Sequence, residues 1–70
     1  MGWIPYSPYR VRVAIRTRGL TASDIARRSK GTLSFSTVRN MERGIYDRVE
    51  SARLEALAKA LYIPIKELQE

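Results

Sequence analysis

The 70-residue sequence predicts an all-α domain of five short helices. Apolar residues recur at spacings of three and four along most of the chain, which is the period of an amphipathic helix. Ser, Thr and Gly residues stand where such segments begin and end, as helix caps do. Strand-like alternation is limited to Val11 and Val13, within a helical pattern. We expect an irregular arm over residues 1–6 and a single domain over residues 7–70.

Caps and periodicity predict the first two helices. Ser7-Pro8 fits a cap followed by proline at the first helical position, and Gly19 ends the first helix. Thr21 fits the cap of the second helix, with Asp24 three residues later. Because Asp is shorter than the usual Glu, we expect this capping box to be only half made. Lys30-Gly31 is predicted to end the second helix.

Three more helices are predicted in the second half of the chain. Ser34 caps the third helix and Gly44 ends it. A leucine-rich stripe predicts a fourth helix over roughly residues 50–62. Pro64 starts a fifth short helix that turns Leu68 inward. The five helices together predict a compact all-α domain.

Charge is distributed unevenly along the chain. The formal net charge is +6. Residues 1–48 carry ten basic and three acidic side chains, a net +7, whereas residues 49–70 carry three basic and four acidic, a net −1. This asymmetry favours a polyanionic partner, either nucleic acid or an anionic membrane. The alternative is an ordinary solvated surface in an arginine-rich protein.

The composition excludes several classes of function. The sequence has no Cys and no His, which excludes disulfide scaffolds, zinc fingers and thiol or imidazole catalysis. No carboxylate pair or phosphate-binding loop is visible, so we expect no enzyme, metal or cofactor. No apolar run reaches the ~18 residues of a membrane span. We therefore expect no membrane partner and a cytoplasmic, nucleoid-associated location.

The third predicted helix has an unusual outward side. Val38 and Met41 share the face that would pack on the core. The opposite side would present four side chains, Phe35, Ser36, Arg39 and Asn40. A helix, a turn and a second helix within a basic domain suit the DNA major groove, where Arg binds guanine and Asn binds adenine. Phe35 could contact a thymine methyl group or, alternatively, fold back onto the core.

Residues 20–68 resemble the lambda-repressor-like, Cro-type helix-turn-helix family. The matching segments are LT at 20–21, IA at 25–26, SFSTVRNMERG at 34–44, LEALAKAL at 54–61 and IPIKEL at 63–68. The resemblance implies sequence-specific binding of double-stranded DNA by a transcriptional regulator, usually a homodimer on a palindromic operator. It implies base contacts by the four outward residues of the third helix. It implies phosphate contacts by Thr21, Ala22, Ser23, Thr37, Arg43, Tyr46 and Arg48, with Arg43 acting mainly through its backbone N–H.

The sequence departs from the family pattern at three points. Ala22 stands where the family often has a Gln that contacts DNA. The turn between the second and third helices is about two residues longer than usual. Ile15 occupies the position of an arginine that often pairs with the glutamate at position 42. We expect Glu42 to pair instead with Arg16 or Arg18, or to stay solvated.

One recognition helix contacts only about four or five base pairs, which is too few to specify a genomic site. A two-fold pair of chains would solve this, and the least basic segment, residues 62–70, is the expected interface. Its candidate contact residues are Tyr62, Ile63, Ile65 and Leu68. The leading hypothesis is a repressor of phage or plasmid type. The alternatives are an antitoxin that binds a toxin and represses its own operon, or a protein-interaction or RNA-associated module with the same fold.

Overall fold

Helices form most of the structure, a computed structural model that describes residues 2–69. The elements in chain order are β1 (Trp3–Pro5), α1 (Pro8–Thr17), α2 (Ala22–Arg28), α3 (Phe35–Arg43), β2 (Arg48–Glu50), α4 (Ser51–Leu61) and a 3₁₀ helix (Ile65–Leu68). The predicted all-α class with five helices is therefore wrong in detail. Residues 2–69 form four α-helices and a two-stranded sheet, and the predicted fifth helix is a single 3₁₀ turn. None of these helices has the length and apolarity needed to cross a membrane.

The expected irregular arm over residues 1–6 is a strand over Trp3–Pro5. Met1 of that arm, and Glu70 at the other end of the predicted domain, lie outside the described residues. Strand β1 pairs antiparallel with β2, and Trp3 lies opposite Glu50. The backbone N–H of Ser51 donates to the carbonyl of Gly2 at 2.9 Å, which extends the pairing. The N-terminal segment is thereby fixed beside the chain that follows α3.

Tyr6 anchors the same segment from inside the core. Its side chain is 2% exposed, and its hydroxyl donates to the carbonyl of Met41 at 3.2 Å. Burial, which disfavours the charged phenolate, raises the pKa of Tyr6 above its ordinary value. A residue that the sequence assigned to the arm thus belongs to the core and joins the N-terminus to α3.

The three predicted N-caps form at Ser7, Thr21 and Ser34. The Ser7 and Ser34 hydroxyls accept backbone N–H bonds at the starts of α1 and α3. At α2 the capping box is complete, because the Thr21 N–H donates to Asp24 Oδ2 at 3.0 Å and the Asp24 N–H donates to Thr21 Oγ1 at 3.2 Å. The expectation of a half-made box was wrong, since this backbone geometry brings the shorter carboxylate within reach. The bond from the Thr21 N–H is the main cause that lowers the pKa of Asp24.

Six residues, 29–34, separate α2 from α3. Helix α2 ends at Arg28, two residues before the predicted Lys30. The Ser29 hydroxyl donates to the Ala26 carbonyl at 2.8 Å and accepts the N–H of Leu33 at 3.0 Å. Leu33 is buried in the core. Hydrogen bonds and the burial of Leu33 therefore hold the long turn in place. Helices α2 and α3 pack against each other.

Glycine is favoured at position 44, at the end of α3, for two reasons. Its φ of 74° lies in the left-handed region, which disfavours a side chain. A Cβ atom at this position would also lie 3.1 Å from Cγ of Pro8, at the start of α1. The end of α3 and the start of α1 therefore lie close together, and the loop after α3 begins at this point.

The apolar core lies between the helices and includes three leucines of α4, Leu54, Leu57 and Leu61. Leu68 of the 3₁₀ helix is also fully buried in it. The backbone N–H of Ser7 donates to the carbonyl of Leu68 at 2.8 Å, so the two ends of the described chain are held together. The core thus supports α3 from behind and leaves its other side exposed.

Candidate nucleic-acid interface

Helix α3 presents one side to the core and the other to solvent. Val38 and Met41 are fully buried, as the 3.6-residue period predicts. Phe35 is 52% exposed, so it does not fold back into the core. Ser36 and Arg39 are exposed, and Asn40 is half-buried. The structure therefore brings the four predicted base-reading side chains together on the outward side of one helix.

Asn40 is tied to the loop that follows α3. Its side-chain amide nitrogen donates to the hydroxyl of Tyr46 at 3.3 Å. The amide keeps a second N–H and its carbonyl oxygen for other partners, and the tyrosine hydroxyl keeps its own proton to donate. Tyr46 is half-buried and packs against the core, so it is a packing residue whose hydroxyl accepts from Asn40 and still has a proton to donate.

The start of α2 offers less than predicted for phosphate binding. The Thr21 hydroxyl is already hydrogen-bonded to Asp24. It accepts from the Asp24 N–H and donates to the Asp24 carboxylate at 3.1 Å. Ala22 is buried, so only its backbone N–H could contact a partner. Ser23 is exposed. Of the three predicted residues, Ser23 is best placed to contact a phosphate through its side chain.

The other predicted phosphate contacts flank α3. Arg43 is the last residue of α3, and Arg48 is the first residue of β2. Both side chains are exposed. Thr37 is half-buried, and its hydroxyl lies 2.9 Å from the hydroxyl of Ser34. In the sequence the two arginines stand on either side of the loop that carries Tyr46. This end of α3 is therefore basic and accessible.

Glu42 does not pair with either of the two expected arginines. Within residues 2–69 its Oε1 atom is buried and has no hydrogen-bond partner. Arg12 of α1 instead donates to the backbone carbonyl of Glu42 at 2.7 Å, and Arg18 donates to the carbonyl of Tyr62 at 3.4 Å. Arg12 stands three residues before Ile15, one helical turn from the expected position. It thus fastens α1 to the end of α3 through the main chain.

The predicted dimer interface is only partly exposed. Leu68 has no exposed surface, so its assignment to the interface was wrong, because the 3₁₀ turn directs it into the core. Tyr62 is 75% exposed, and its ring lies under the guanidinium of Arg28 at 5.3 Å. Ile63 and Ile65 are half-buried and pack against the core. Three of the four predicted residues therefore retain surface that a second chain could contact.

Two residues that the sequence analysis did not single out lie beside α3. Trp3 of β1 is 64% exposed, and Arg53 is exposed in the first turn of α4. Both line a groove that also reaches Thr37 and Tyr46. The pairing of β1 with β2 brings Trp3 there, and no local pattern in the sequence signals that pairing. Within residues 2–69 no group of three or more acidic side chains could hold a metal ion.

Comparison with known families identifies the fold. A family model described as helix-turn-helix matches residues 12–68, which include α2, α3 and α4 but not β1. Comparisons with curated proteins and with solved structures gave no significant match. The match covers well over half of the chain, and α2 and α3, which lie within it, pack against each other. The chain belongs to the lambda-repressor-like, Cro-type helix-turn-helix family of DNA-binding regulators.

Proposed function

We propose that the chain is a transcriptional repressor that binds double-stranded DNA sequence-specifically with α3 in the major groove. The family supports DNA binding and regulation in general. The outward side of α3 is the observation that carries the finer proposal. An exposed aromatic ring, a hydroxyl and a guanidinium share that side with the half-buried amide of Asn40, and no packing contact explains the three exposed groups.

Each of these groups has a counterpart on a base edge. The guanidinium of Arg39 matches the O6 and N7 acceptors of guanine, and the amide of Asn40 matches the N6 and N7 atoms of adenine. Phe35 provides apolar surface for a thymine methyl group, and Ser36 can donate or accept. Asn40 would bind adenine with the hydrogen-bonding groups that Tyr46 does not use. The set can therefore distinguish base pairs in a short site.

Phosphate contacts would hold α3 in register. Arg43 is the exposed last residue of α3, Arg48 is exposed after the following loop, and the Tyr46 hydroxyl has a proton to donate. Guanidinium groups bind phosphates with two parallel hydrogen bonds, which makes them effective anchors. A domain held in this way on an operator that overlaps a promoter would act as a repressor by blocking access to that promoter. Such a role also implies a location at the nucleoid.

Substitutions in α3 should change sequence preference. We expect Arg39→Ala and Asn40→Ala each to lose about 1–3 kcal/mol of discrimination between the preferred site and a scrambled site. Arg48→Ala should weaken binding to both sites by the same factor, because phosphates carry no sequence information. Dissociation constants measured on a duplex selected from a random pool, and on its scrambled counterpart, separate the two effects.

The matched control is Lys59→Ala, which removes one exposed positive charge from α4 at a position away from α3. It should have a smaller effect than Arg48→Ala on both duplexes. Equal losses on the two duplexes for Arg39→Ala and Asn40→Ala would show that base recognition lies elsewhere.

We propose in addition that two chains bind a palindromic operator. A groove of about 310 Å³ between α1 and the C-terminal segment supports this proposal. It combines exposed apolar side chains of α1, Tyr9 and Val13, with Ile63 from the predicted interface. Arg10, Arg18 and Glu67 also line this groove, so it offers a second chain apolar surface with charged groups. An interface of this size should be weak without DNA, and DNA that binds both chains should strengthen it.

Sedimentation should detect mostly monomer at micromolar concentration and two chains on each palindromic duplex. Val13→Gln is the informative variant, because Val13 is exposed and its replacement leaves the core intact. It should abolish cooperative binding while leaving the affinity for a single half-site unchanged. One unmodified chain per palindrome at saturation would exclude the dimer.

A further inference from the structure

A groove of about 150 Å³ lies between the β1–β2 sheet, the first turn of α4 and the start of α3. Its walls include two aromatic residues, two arginines, a hydroxyl residue and one acidic residue, namely Trp3, Tyr46, Arg48, Arg53, Thr37 and Glu50. Two guanidinium groups against one carboxylate make the groove net positive. Its shape and charge therefore fit an anionic, partly apolar ligand.

Backbone pairing holds Trp3 in this position. Its neighbour Ile4 pairs with Val49, which is buried, and Gly2 accepts the N–H of Ser51. The strand is thus fixed on both sides of Trp3, yet the indole remains largely exposed. An indole held in place with most of its surface in solvent offers an apolar face and one N–H donor to a ligand.

The position of the groove beside α3 selects among anionic ligands. Thr37, in the first turn of α3, forms one of its walls. A helix inserted in a major groove about 12 Å wide has sugar-phosphate strands along both sides. Residues next to the first turn of that helix would face one of these strands. An arginine can bind the phosphate, and an indole face can cover the adjacent deoxyribose.

We infer that Trp3 and Arg53, with Arg48 in the same groove, form a second contact to the DNA backbone, on the strand that flanks the base pairs bound by α3. This inference rests on the proposed function and extends it to two residues outside the helix-turn-helix unit. Trp3 also precedes the segment that the family model matches, residues 12–68. Glu50 weakens this contact, because its carboxylate lies in the same groove and repels phosphate.

Trp3 is the only tryptophan in the chain, so its fluorescence reports directly on the groove. The first experiment measures quenching of the unmodified chain by acrylamide, with and without sonicated duplex DNA of mixed sequence at low salt. Sedimentation establishes independently that the chain is bound. We expect DNA to protect Trp3 from the quencher. Unchanged quenching of a bound chain would overturn the second contact and leave the proposed function standing, whereas absence of binding would overturn both.

The second experiment compares two variants of α4 that each remove one positive charge, Arg53→Gln and Lys59→Gln. Lys59 is exposed and lines a different groove, with Arg28 and Lys30. Arg53→Gln should reduce the slope of log K against log salt by about 0.9, the value for one phosphate contact, and Lys59→Gln should leave the slope unchanged. Equal slopes for the two variants would overturn the assignment of Arg53.

Glu50→Gln removes a negative charge from the same groove, so its effect on DNA affinity should be opposite to that of Arg53→Gln. Glu50 precedes α4 without a side-chain capping bond, so its replacement removes charge and no cap. We expect this variant to bind mixed-sequence DNA about two- to fivefold more tightly, the range for an exposed charge interaction. Unchanged or weaker binding would contradict a phosphate in the groove.

Discussion

Leu68→Ala should lower the free energy of unfolding by about 2–5 kcal/mol. Leu68 is fully buried, and truncation removes its apolar contacts and leaves a cavity in the core. A domain of this length is expected to have only about 4–10 kcal/mol of stability in total. The variant should therefore be partly unfolded at moderate temperature. Denaturant unfolding followed by circular dichroism measures the loss.

Lys66→Ala is the matched control, because Lys66 lies in the same 3₁₀ helix and is exposed. It should change stability by less than about 0.5 kcal/mol. The loss caused by Leu68→Ala should also be the same at different protein concentrations, since the side chain packs within one chain. If the Leu68→Ala variant had normal stability but no longer formed a dimer, Leu68 would instead belong to the dimer interface.

Binding to DNA should depend strongly on salt. If one chain neutralises about five phosphates, log K should fall with log salt at a slope of about −4 to −5, and a dimer should double the slope. Between 50 and 200 mM salt the affinity of a single chain would then fall by about 250- to 1,000-fold. The exposed arginines 39, 43 and 48 around α3 supply much of the charge for these contacts. Titrations at several salt concentrations test this expectation.

A scrambled duplex provides the control for the salt experiment. Its slope should be similar to that of the selected site, because the electrostatic contribution does not depend on sequence. A nearly flat dependence on both duplexes would contradict a polyanionic partner for this chain.

The helices were predictable because their signals are local. Ser7, Thr21 and Ser34 each bond to a backbone group within three residues, so the cap and its partner stand together in the sequence. The burial of Val38 and Met41 follows from helical spacing alone. The exposure of Arg39 follows from the same spacing, whereas the spacing left open whether Phe35 is exposed or folds back onto the core. Local sequence is therefore sufficient to place much of the predicted base-reading side.

The sheet could not be predicted in this way. Each strand has only three residues, and Trp3 pairs with Glu50, far away in the sequence. Three residues are too few to establish an alternating pattern, and proline, which stands at position 5, is uncommon within strands. Leu68 was misassigned for a related reason, because a short apolar segment near a chain end can face a core or a partner. Contacts between distant segments decide both cases.

The hydrogen bond from the Ser7 N–H to the Leu68 carbonyl has a consequence for the order of folding. It closes a loop of about sixty residues, and bringing such distant segments together costs about 3–4 kcal/mol of chain entropy. Packing of α1, α4 and the 3₁₀ helix must offset this cost, so we expect the bond to form late in folding, after those helices are in place. By the same reasoning it is among the first to break when the domain opens. Protection of the Ser7 amide from solvent therefore marks molecules in which the whole fold has closed.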